Sequence, residues 1–586
     1  MNKTAGITLL LFLGTFFTLI YFCDRGFNIT DEGNYLTSSQ YPEENLTLPS
    51  SYFYINGFFF RSLQYNVFLF RIIGLILLAC SGLFLGYGLS RMLSSTETKS
   101  SSLPMTILCM SFSGLGSLLY YSWGLLTPSY NSLTATLLTT FAGLTSLTLD
   151  THLRRSKNTF NQPLLIIGSG ACITLTFFAK FPVGIAILVI YCLWLYRLKL
   201  TKYWLVLVST ISFFSILYFI FVQQFPQWQK MFENSLTLIS LDNHVPSQLF
   251  KYYVYCLKYF ILSKQCFYFG FGAIFFLLLY EYTPPKIRPI NTLVSTILFA
   301  FLVNTFIRHG YFLDSRAHRH FIIQFYVLWF ILLTSYLLIL VLINYLKKLK
   351  NPLSTPDTLN LILFELSLLI LTFLGCIGTN NSLVAEALLY SSPLLAAFLI
   401  LYAQIIKFPQ TPFFAPSIIV IISFYTCIQV ISGTIFTPYD INSNLLKQTV
   451  PTIIGSPPSS LKLDPATSRF MNDIKTIAFN AGFKPGDDIL VFYDMPGIVY
   501  ILGGKSPATS WWLGKWVKNY KKFNESSLSF IDHQRLKHAF IVQNIPDTSM
   551  PSLQKFDIKF PNDYQLCGEL VWPMTKQHVR LWRPKK

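Results

Sequence analysis

Two adjacent carboxylates, Asp31 and Glu32, follow the first long apolar segment, within the sequence FNITDEGNYL. An acidic pair at a membrane rim costs free energy unless it has a function or a partner. A carboxylate can act as a general base that takes the proton from an attacking hydroxyl group. A structural alternative stays open here: Thr30 or Asp31 is the N-cap of a helix, and both acids favour the positive end of that helix.

A group of cations lies where membrane topology disfavours them, on the predicted outer side. Lys180 ends a predicted helix on that side, and six basic residues fall within positions 308–320, with only Asp314 to offset them. Arginine stays charged and donates paired hydrogen bonds to phosphate oxygens, so we predict a site for a lipid phosphate. The alternative is that these side chains extend to anionic headgroups and anchor the protein. The candidate phosphate-binding residues are Lys180, Arg308, Arg316, His318 and Arg319.

Two further features bear on chemistry. Glu386 stands in or near a late apolar helix, where an ionisable residue indicates function, although a short outer loop with Asn380 and Asn381 is an alternative setting. His318 and His320 suggest a metal, but they are two residues apart and no Cys or Glu completes a ligand set. We therefore predict no metal site and assign no cofactor; a divalent cation stays open as an alternative, without a ligand motif to support it.

The elements that carry these residues are membrane helices. Of the 586 residues, 52% are hydrophobic and 12% are charged, against about 25% charged in soluble domains. This composition excludes a single soluble enzyme, a disordered chain and a collagen-like chain. The net charge of +19 does not indicate nucleic-acid binding, because the cations of the apolar part lie mostly in short loops and no basic helix or aromatic–basic RNA motif is present.

Thirteen apolar runs are long enough, or nearly so, to cross a bilayer. They span about 7–23, 66–90, 104–122, 131–150, 163–179, 182–197, 203–222, 266–280, 292–307, 321–345, 359–376, 385–406 and 416–436. The pair on either side of Pro182 also fits one kinked helix. With the N-terminus inside, every predicted inner loop carries a cation, which places the residues after 436 outside. Those cations are Lys3; Arg91 and Lys99; Arg154, Arg155 and Lys157; Arg197, Lys199 and Lys202; Lys286 and Arg288; Lys347, Lys348 and Lys350; and Lys407.

The composition divides the chain into a membrane domain, 1–436, and an extracytoplasmic C-terminal domain, 437–586. The last 150 residues carry 19 basic and 12 acidic residues and read as α/β. A helix is predicted over 468–481, ending at Gly482, and a short one over 496–502. Strands are predicted over 488–493, 538–542, 568–572 and 579–582. Two long outer loops, about 24–65 and 223–265, are rich in aromatic residues and suit helices lying at the membrane interface.

The acidic pair, followed by a small residue and Tyr35, resembles the motif of the GT-C membrane glycosyltransferases. The similarity is closest to the protein O-mannosyltransferase and aminoarabinose-transferase branch. Thirteen helices with an external α/β domain resemble the layout of that branch over the whole chain. The resemblance implies that Asp31 is the catalytic base and that the donor is a polyprenyl-phosphate sugar. We predict Glu32 as the second catalytic residue, which orients Asp31 or the acceptor.

Three other segments resemble the family's pattern. The start of the second long helix, 66–71, resembles its Arg-bearing start, which makes Arg71 a candidate substrate contact together with Tyr35 and Glu386. Residues 178–182 are similar to its Lys-Gly-Pro hairpin, although Phe181 stands where Gly is usual. Residues 316–321 resemble a basic step into a late helix, although His320 stands where Tyr is frequent.

The sequence thus predicts a polytopic membrane enzyme of GT-C type. It would move a sugar from a polyprenyl phosphate to a hydroxyl of a lipid, glycan or protein at the outer face of a bacterial inner membrane. A transporter or flippase for a lipid-linked glycan is the alternative, and it would be expected to have ionisable residues at the midplane of several helices. A receptor or assembly protein that acts through the C-terminal domain is a third reading.

Overall fold

The structure is a computed structural model. It describes residues 2–48, 50–95, 103–153, 161–241, 250–251, 253–255, 319–346, 356–378, 382–408, 414–507, 520–544 and 550–585. This part of the chain is mainly helical up to residue 436 and mixed α/β after it.

Ten helices lie before residue 242, and two of them, α2 and α3, belong to the first long loop. They are α1 (Asn2–Phe22), α2 (Asp31–Gln40), α3 (Tyr52–Ser62), α4 (Val67–Ser95), α5 (Leu103–Leu118), α6 (Tyr130–Leu153), α7 (Asn161–Ala179), α8 (Phe181–Arg197), α9 (Trp204–Phe221) and α10 (Phe225–Leu241). After the residues outside the described part come α11 (Arg319–Leu346), α12 (Pro356–Leu374), α13 (Leu383–Glu386), α14 (Ser392–Ile405) and α15 (Phe414–Ile431).

Eight described helices are long and apolar enough to cross a membrane, and α13 with α14 forms a ninth span if the bent pair is counted as one. The shorter α8 and α12 are also apolar. Eleven of the thirteen predicted runs therefore coincide with helices, and the other two, 266–280 and 292–307, lie outside the described residues. The polytopic helical class is confirmed, while the number thirteen stays a prediction.

Two breaks in the helices position later side chains. The chain interrupts its helix at Lys180, which adopts a non-helical conformation (φ −151°, ψ 85°) ahead of Pro182, so α7 and α8 are separate helices. The second break lies at Ser391, between the segment Leu383–Tyr390 and α14, whose directions differ by 74°. The segment before the break is α13 continued by a 3₁₀ turn, Ala387–Tyr390, and Pro393 stands in the first turn of α14. Both breaks leave polar residues at helix ends.

The helices pack closely where small residues meet. A Cβ added at Gly86 of α4 would lie 2.2 Å from the carbonyl oxygen of Cys109 in α5. Only glycine allows this approach, which brings the two backbones together as in many membrane bundles. Buried side chains of α1, α4, α5, α6 and α14 belong to one apolar core.

The described residues from 450 to 585, called here the C-terminal unit, contain two sheets. Its helices are α16 (Pro465–Asn480), α17 (Gly497–Leu502), α18 (Tyr520–Leu528) and α19 (His533–His538). Its strands are β1 (Val450–Ile454), β2 (Ser459–Leu463), β3 (Ile489–Phe492), β4 (Phe540–Gln543), β5 (Tyr564–Val571) and β6 (His578–Pro584). Strands β1 and β2 form an antiparallel hairpin, and the second sheet has the order β3-β4-β6-β5, in which only β3 and β4 are parallel.

Most predicted elements of this unit are present. The predicted helix is α16, which begins after Asp464, whose carboxylate accepts from the amides of Ala466 and Thr467. Gly482 follows the helix with φ +89°, a conformation that favours glycine. The β1–β2 hairpin and the helices α18 and α19 were not predicted, because their short polar-rich stretches lack a clear period.

Candidate active site

The site begins at the start of α2, where Asn28 performs the capping. Its side-chain Oδ1 accepts hydrogen bonds from the amides of Thr30 (2.9 Å) and Glu32 (3.2 Å). Thr30 stands at the N-cap position, but its side chain makes no capping hydrogen bond. Asn28 therefore takes the capping role that the alternative gave to Thr30 or Asp31, while both acids do lie in the first turn of α2, where they favour its positive end.

Glu32 forms a buried ion pair with Arg71 of α4. The distance from Arg71 Nη2 to Glu32 Oε1 is 2.6 Å, and both side chains are at most 2% exposed. Thr127 also donates to Glu32 Oε1, and the amide of Asn28 donates to Glu32 Oε2 at 2.9 Å. The carboxylate of Glu32 therefore has its charge paired and both oxygens occupied inside the protein.

Arg71 directs every N–H group of its guanidinium to the protein itself. Besides Glu32, it donates to the carbonyl oxygens of Cys23 (2.8 Å), Arg25 (3.0 Å) and Gly26 (2.8 Å), and its Nε also lies 3.2 Å from Thr127 Oγ1. A guanidinium has five N–H donors, and this set uses them all. Arg71 thus holds the chain that connects α1 to α2, and its role as a substrate contact stays a prediction.

Asp31 has a different environment from its neighbour. It is half-buried, and its charge acts on Tyr35 one turn further along α2 and on Tyr52 at the start of α3. Burial, with a smaller contribution from the Asp31 charge, raises the pKa of both phenols well above their usual value. Their hydroxyl groups thus stay protonated and able to donate beside a carboxylate.

These phenols belong to a group from five elements, called here the tyrosine cluster: Tyr35, Tyr52, Tyr120, Tyr130 and Tyr390. The ring centroids of Tyr35, Tyr52 and Tyr130 lie 5.7–6.2 Å apart. Tyr390 joins them by donating a 2.6 Å hydrogen bond to Asn131. The cluster thus brings aromatic rings and hydroxyl groups together at one place in the protein interior.

Lys180 lies against the tyrosine cluster. Its side chain is buried (5% of the residue is exposed); Nζ donates to Gly375 O (2.7 Å) and to Tyr390 Oη (3.2 Å). The ammonium also lies 5.2 Å from the ring centre of Tyr390 and 5.6 Å from that of Tyr130. The structure therefore points Lys180 inward, which does not match the alternative of a side chain reaching to the headgroups.

Glu386 supplies a second carboxylate near Lys180. It is buried at the end of α13, and its charge interacts with Lys180 and with Tyr390. The charges of Glu386 and Asp31 both act on Tyr120 and Tyr130. These two tyrosines thus lie within electrostatic reach of both carboxylates, which connects Asp31, Glu386 and Lys180 through one cluster.

The predicted basic cluster falls largely beyond the described residues. Arg308, Arg316 and His318 lie outside them. Arg319 is the first residue of α11, and its side chain also lies outside the described part. Their role in phosphate binding stays a prediction. Among the described residues, no group of three His, Cys, Asp or Glu side chains could hold a metal ion.

The sequence interpretation missed most of the tyrosine cluster. In the sequence, Tyr52 lies in the first aromatic-rich outer loop, Tyr120 and Tyr390 lie within apolar runs, and Tyr130 directly precedes one. A signal was present, because tyrosine carries a hydroxyl group that needs a partner when buried. The signal is weak in a chain with 33 tyrosines, and only packing selects the few that meet.

No family model matches the chain, and no curated protein matches it. The crystal structure of ArnT from Cupriavidus metallidurans in the apo state is similar, with 13% identity and a TM-score of 0.37 over 98% of this chain and 97% of that chain. That of ArnT bound to undecaprenyl phosphate has 12% identity and a TM-score of 0.33 over the same shares.

Proposed function

We propose that this integral membrane protein is a glycosyltransferase that takes a sugar from a polyprenyl-phosphate donor. The observation that carries the proposal is that the half-buried Asp31 and the buried Lys180 lie at one tyrosine cluster. Glu32, the neighbour of Asp31, pairs with Arg71 and accepts a hydrogen bond from Thr127. A carboxylate can take up the proton of the acceptor, and an ammonium can stabilise the charge of a departing phosphate. The two groups at one polar cluster therefore suit transfer from a phosphate-linked donor.

In the proposed reaction, the hydroxyl oxygen of the acceptor attacks the anomeric carbon of the sugar. Asp31 takes the hydroxyl proton as the new C–O bond forms. The bond between the anomeric carbon and the phosphate oxygen breaks, and the lipid phosphate leaves with the electron pair. Lys180 stabilises the phosphate charge, and Glu386 and Tyr35 are proposed substrate contacts. The reaction is a group transfer without any redox change.

The proposed topology places this site at the outer face of a bacterial inner membrane. The loop cations favour a cytoplasmic N-terminus and an extracytoplasmic C-terminal domain from 437 to 586. The acceptor is proposed to be a hydroxyl group of a lipid, a glycan or a protein. Arg308, Arg316, His318 and Arg319 remain proposed partners of the donor phosphate.

The deciding experiment is a transfer assay with purified protein. The protein is incubated with labelled polyprenyl-phosphate sugars and membrane extracts, and the label is followed from donor to acceptor. Transfer of the label supports a glycosyltransferase. Movement of the intact donor across proteoliposomes, without cleavage of its sugar–phosphate bond, would support the flippase instead.

Lys180→Gln is expected to weaken binding of the donor phosphate. Loss of one charge-assisted contact costs about 1.5–3 kcal/mol, or about 10- to 150-fold in affinity. Binding of undecaprenyl phosphate to the purified variant measures this loss. Lys202→Gln, which changes an exposed lysine between α8 and α9, is the control and should bind as wild type. Unchanged affinity in Lys180→Gln would leave this lysine with only a packing role.

Tyr52→Phe is expected to lower transfer about tenfold, because its hydroxyl group is buried without a hydrogen-bond partner among the described residues. A buried unpaired hydroxyl is costly, and a bound substrate oxygen would satisfy it. Removing a hydrogen bond of this kind costs about 0.5–1.5 kcal/mol, or more towards a charged group. The thermal midpoint should stay unchanged or rise, since no bond within the protein is lost. Tyr191→Phe, at an equally buried tyrosine of α8, controls for removal of a phenolic oxygen; equal activity in both variants would contradict the assignment.

A further inference from the structure

The helix that carries Asp31 has two different faces. Asp31 and Tyr35 are four residues apart, so they share one face, and that face meets the tyrosine cluster. Gly33, Leu36 and Gln40 follow the spacing of another face. This second face contacts the C-terminal unit: Gly33 meets Gly497, Leu36 shares an apolar core with Ile498, and Gln40 donates to Ser456 O.

We propose that the C-terminal unit holds α2 in its reactive position and that Arg535 is the positioning residue of this contact. The inference rests on the proposed function, because the reactive position is that of Asp31 as a general base. The C-terminal unit would then affect the rate of sugar transfer and not the binding of the donor.

The closest contact joins two backbones on either side of Asp31. The amide of Gly497 donates a 2.7 Å hydrogen bond to the carbonyl oxygen of Ile29. A Cβ added at Gly33 would lie 2.1 Å from Gly497 Cα, and one added at Gly497 would lie 2.7 Å from Ile29 O. Neither position has room for a side chain. The start of α17 therefore sets the position of the first turn of α2 directly.

The chain before α2 is also bound by the C-terminal unit. Lys462 of β2 donates its amide to Asp24 O (2.7 Å) and accepts from the amide of Gly26 (2.9 Å). Its ammonium pairs with the Asp24 carboxylate at 2.6 Å. Through these bonds, the segment 24–26 pairs with the edge of the β1–β2 hairpin. Arg71 of α4 binds the carbonyl oxygens of Arg25 and Gly26 in the same segment. The segment leading to Asp31 is thus fixed between α4 and the C-terminal unit.

The chain after α2 is bound by Arg535 of α19. Its guanidinium lies 2.9 and 3.1 Å from the two oxygens of Glu44 and 2.6 and 2.9 Å from those of Asp488. Glu44 follows α2, whereas Asp488 precedes β3 within the C-terminal unit. The side chains of Glu44 and Asp488 are only 12% and 17% exposed. Paired charge-assisted bonds of this kind fix orientation as well as distance.

A small displacement of α2 is enough to affect a general base. Misplacement of a reacting group by about 1 Å can cost about 100-fold in rate. Lys180, the proposed contact of the donor phosphate, and Tyr390 belong to elements outside this contact, so binding of the donor phosphate should not depend on it. We therefore expect loosening of α2 to lower kcat about tenfold and to leave the donor KM within about twofold.

Three variants of the full-length protein test the proposal. Glu44→Gln breaks the link to α2 and leaves Arg535 paired with Asp488 inside the C-terminal unit. Arg535→Gln removes both links, and Arg535→Lys keeps the charge but not the paired geometry. The matched control is Arg580→Gln, because Arg580 is 38% exposed against 37% for Arg535 and pairs with Glu569 within the C-terminal unit. Transfer kinetics and hydrogen exchange of the α2 amides are measured for each.

In Glu44→Gln and Arg535→Gln, we expect the α2 amides to exchange about five- to tenfold faster and kcat to fall. Arg535→Lys should recover both values in part, and Arg580→Gln should have wild-type values. Wild-type exchange and kcat in both Gln variants would overturn the inference. Faster exchange with unchanged kcat would also overturn it, since the contact would then be structural only. If the wild-type protein transfers no sugar, the proposed function fails. The exchange measurement is independent of transfer: unchanged exchange of the α2 amides in both Gln variants would show that Arg535 does not hold α2.

Discussion

Replacement of Asp31 by asparagine is expected to abolish most sugar transfer while the protein is still produced at wild-type yield. An amide cannot take the proton of the attacking hydroxyl, and loss of a general base typically costs about 10²–10⁴-fold in rate. The fold should survive, because asparagine has nearly the same size and Asn28 already caps the start of α2. The measurement is the transfer rate per mole of detergent-purified, monodisperse protein.

The control for Asp31→Asn is Glu43→Gln. Glu43 is an exposed carboxylate in the 3₁₀ turn after α2, so its loss changes the local charge equally without touching the tyrosine cluster. Its transfer rate should stay within about twofold of wild type. Normal transfer in purified Asp31→Asn would remove this residue from the mechanism and would falsify the proposed glycosyltransfer by Asp31.

The second large effect is expected on stability, at the buried pair of Glu32 and Arg71. Breaking a buried ion pair by removing one partner typically costs about 3–5 kcal/mol, because the other charge stays buried and uncompensated. Arg71→Met also removes the donors to three backbone carbonyls. We therefore expect Glu32→Gln and Arg71→Met each to lower the thermal midpoint and the yield. The double variant should be less destabilised than the sum of the two, since neither charge is then left alone.

Arg580→Gln is the matched control for this pair. Arg580 lies 2.8 Å from Glu569, and the two side chains are 38% and 34% exposed, so its loss should cost at most about 1 kcal/mol. The contrast distinguishes two roles for Glu32. A variant Glu32→Gln with a wild-type midpoint and no transfer would return Glu32 to the catalytic role that the acidic motif first suggested. A lowered midpoint, with activity reduced in proportion to folded protein, would support the structural role.

Local patterns in the sequence were sufficient to predict the membrane class and most helices. The length and apolarity of a run determine whether it can cross a bilayer, and both are properties of consecutive residues. The same holds for α16, whose period and final glycine are local signals. The sequence also drew attention to the segment that carries Asp31 and Glu32, because adjacent acids in an apolar setting are costly wherever the chain folds.

The tertiary structure alone decided what each of these residues does. Asp31 and Glu32 are neighbours in sequence, yet only Glu32 meets Arg71, which is 39 positions away. The inward position of Lys180 depends on Tyr390, which is 210 positions away, and the hold of Arg535 on Glu44 joins residues 491 apart. A local sequence pattern cannot reveal pairs this far apart in the chain, because such pairs form only when helices pack and buried polar groups need hydrogen-bond partners within the protein. The residue types were therefore readable in the sequence, whereas their roles depend on which side chains the fold brings into contact.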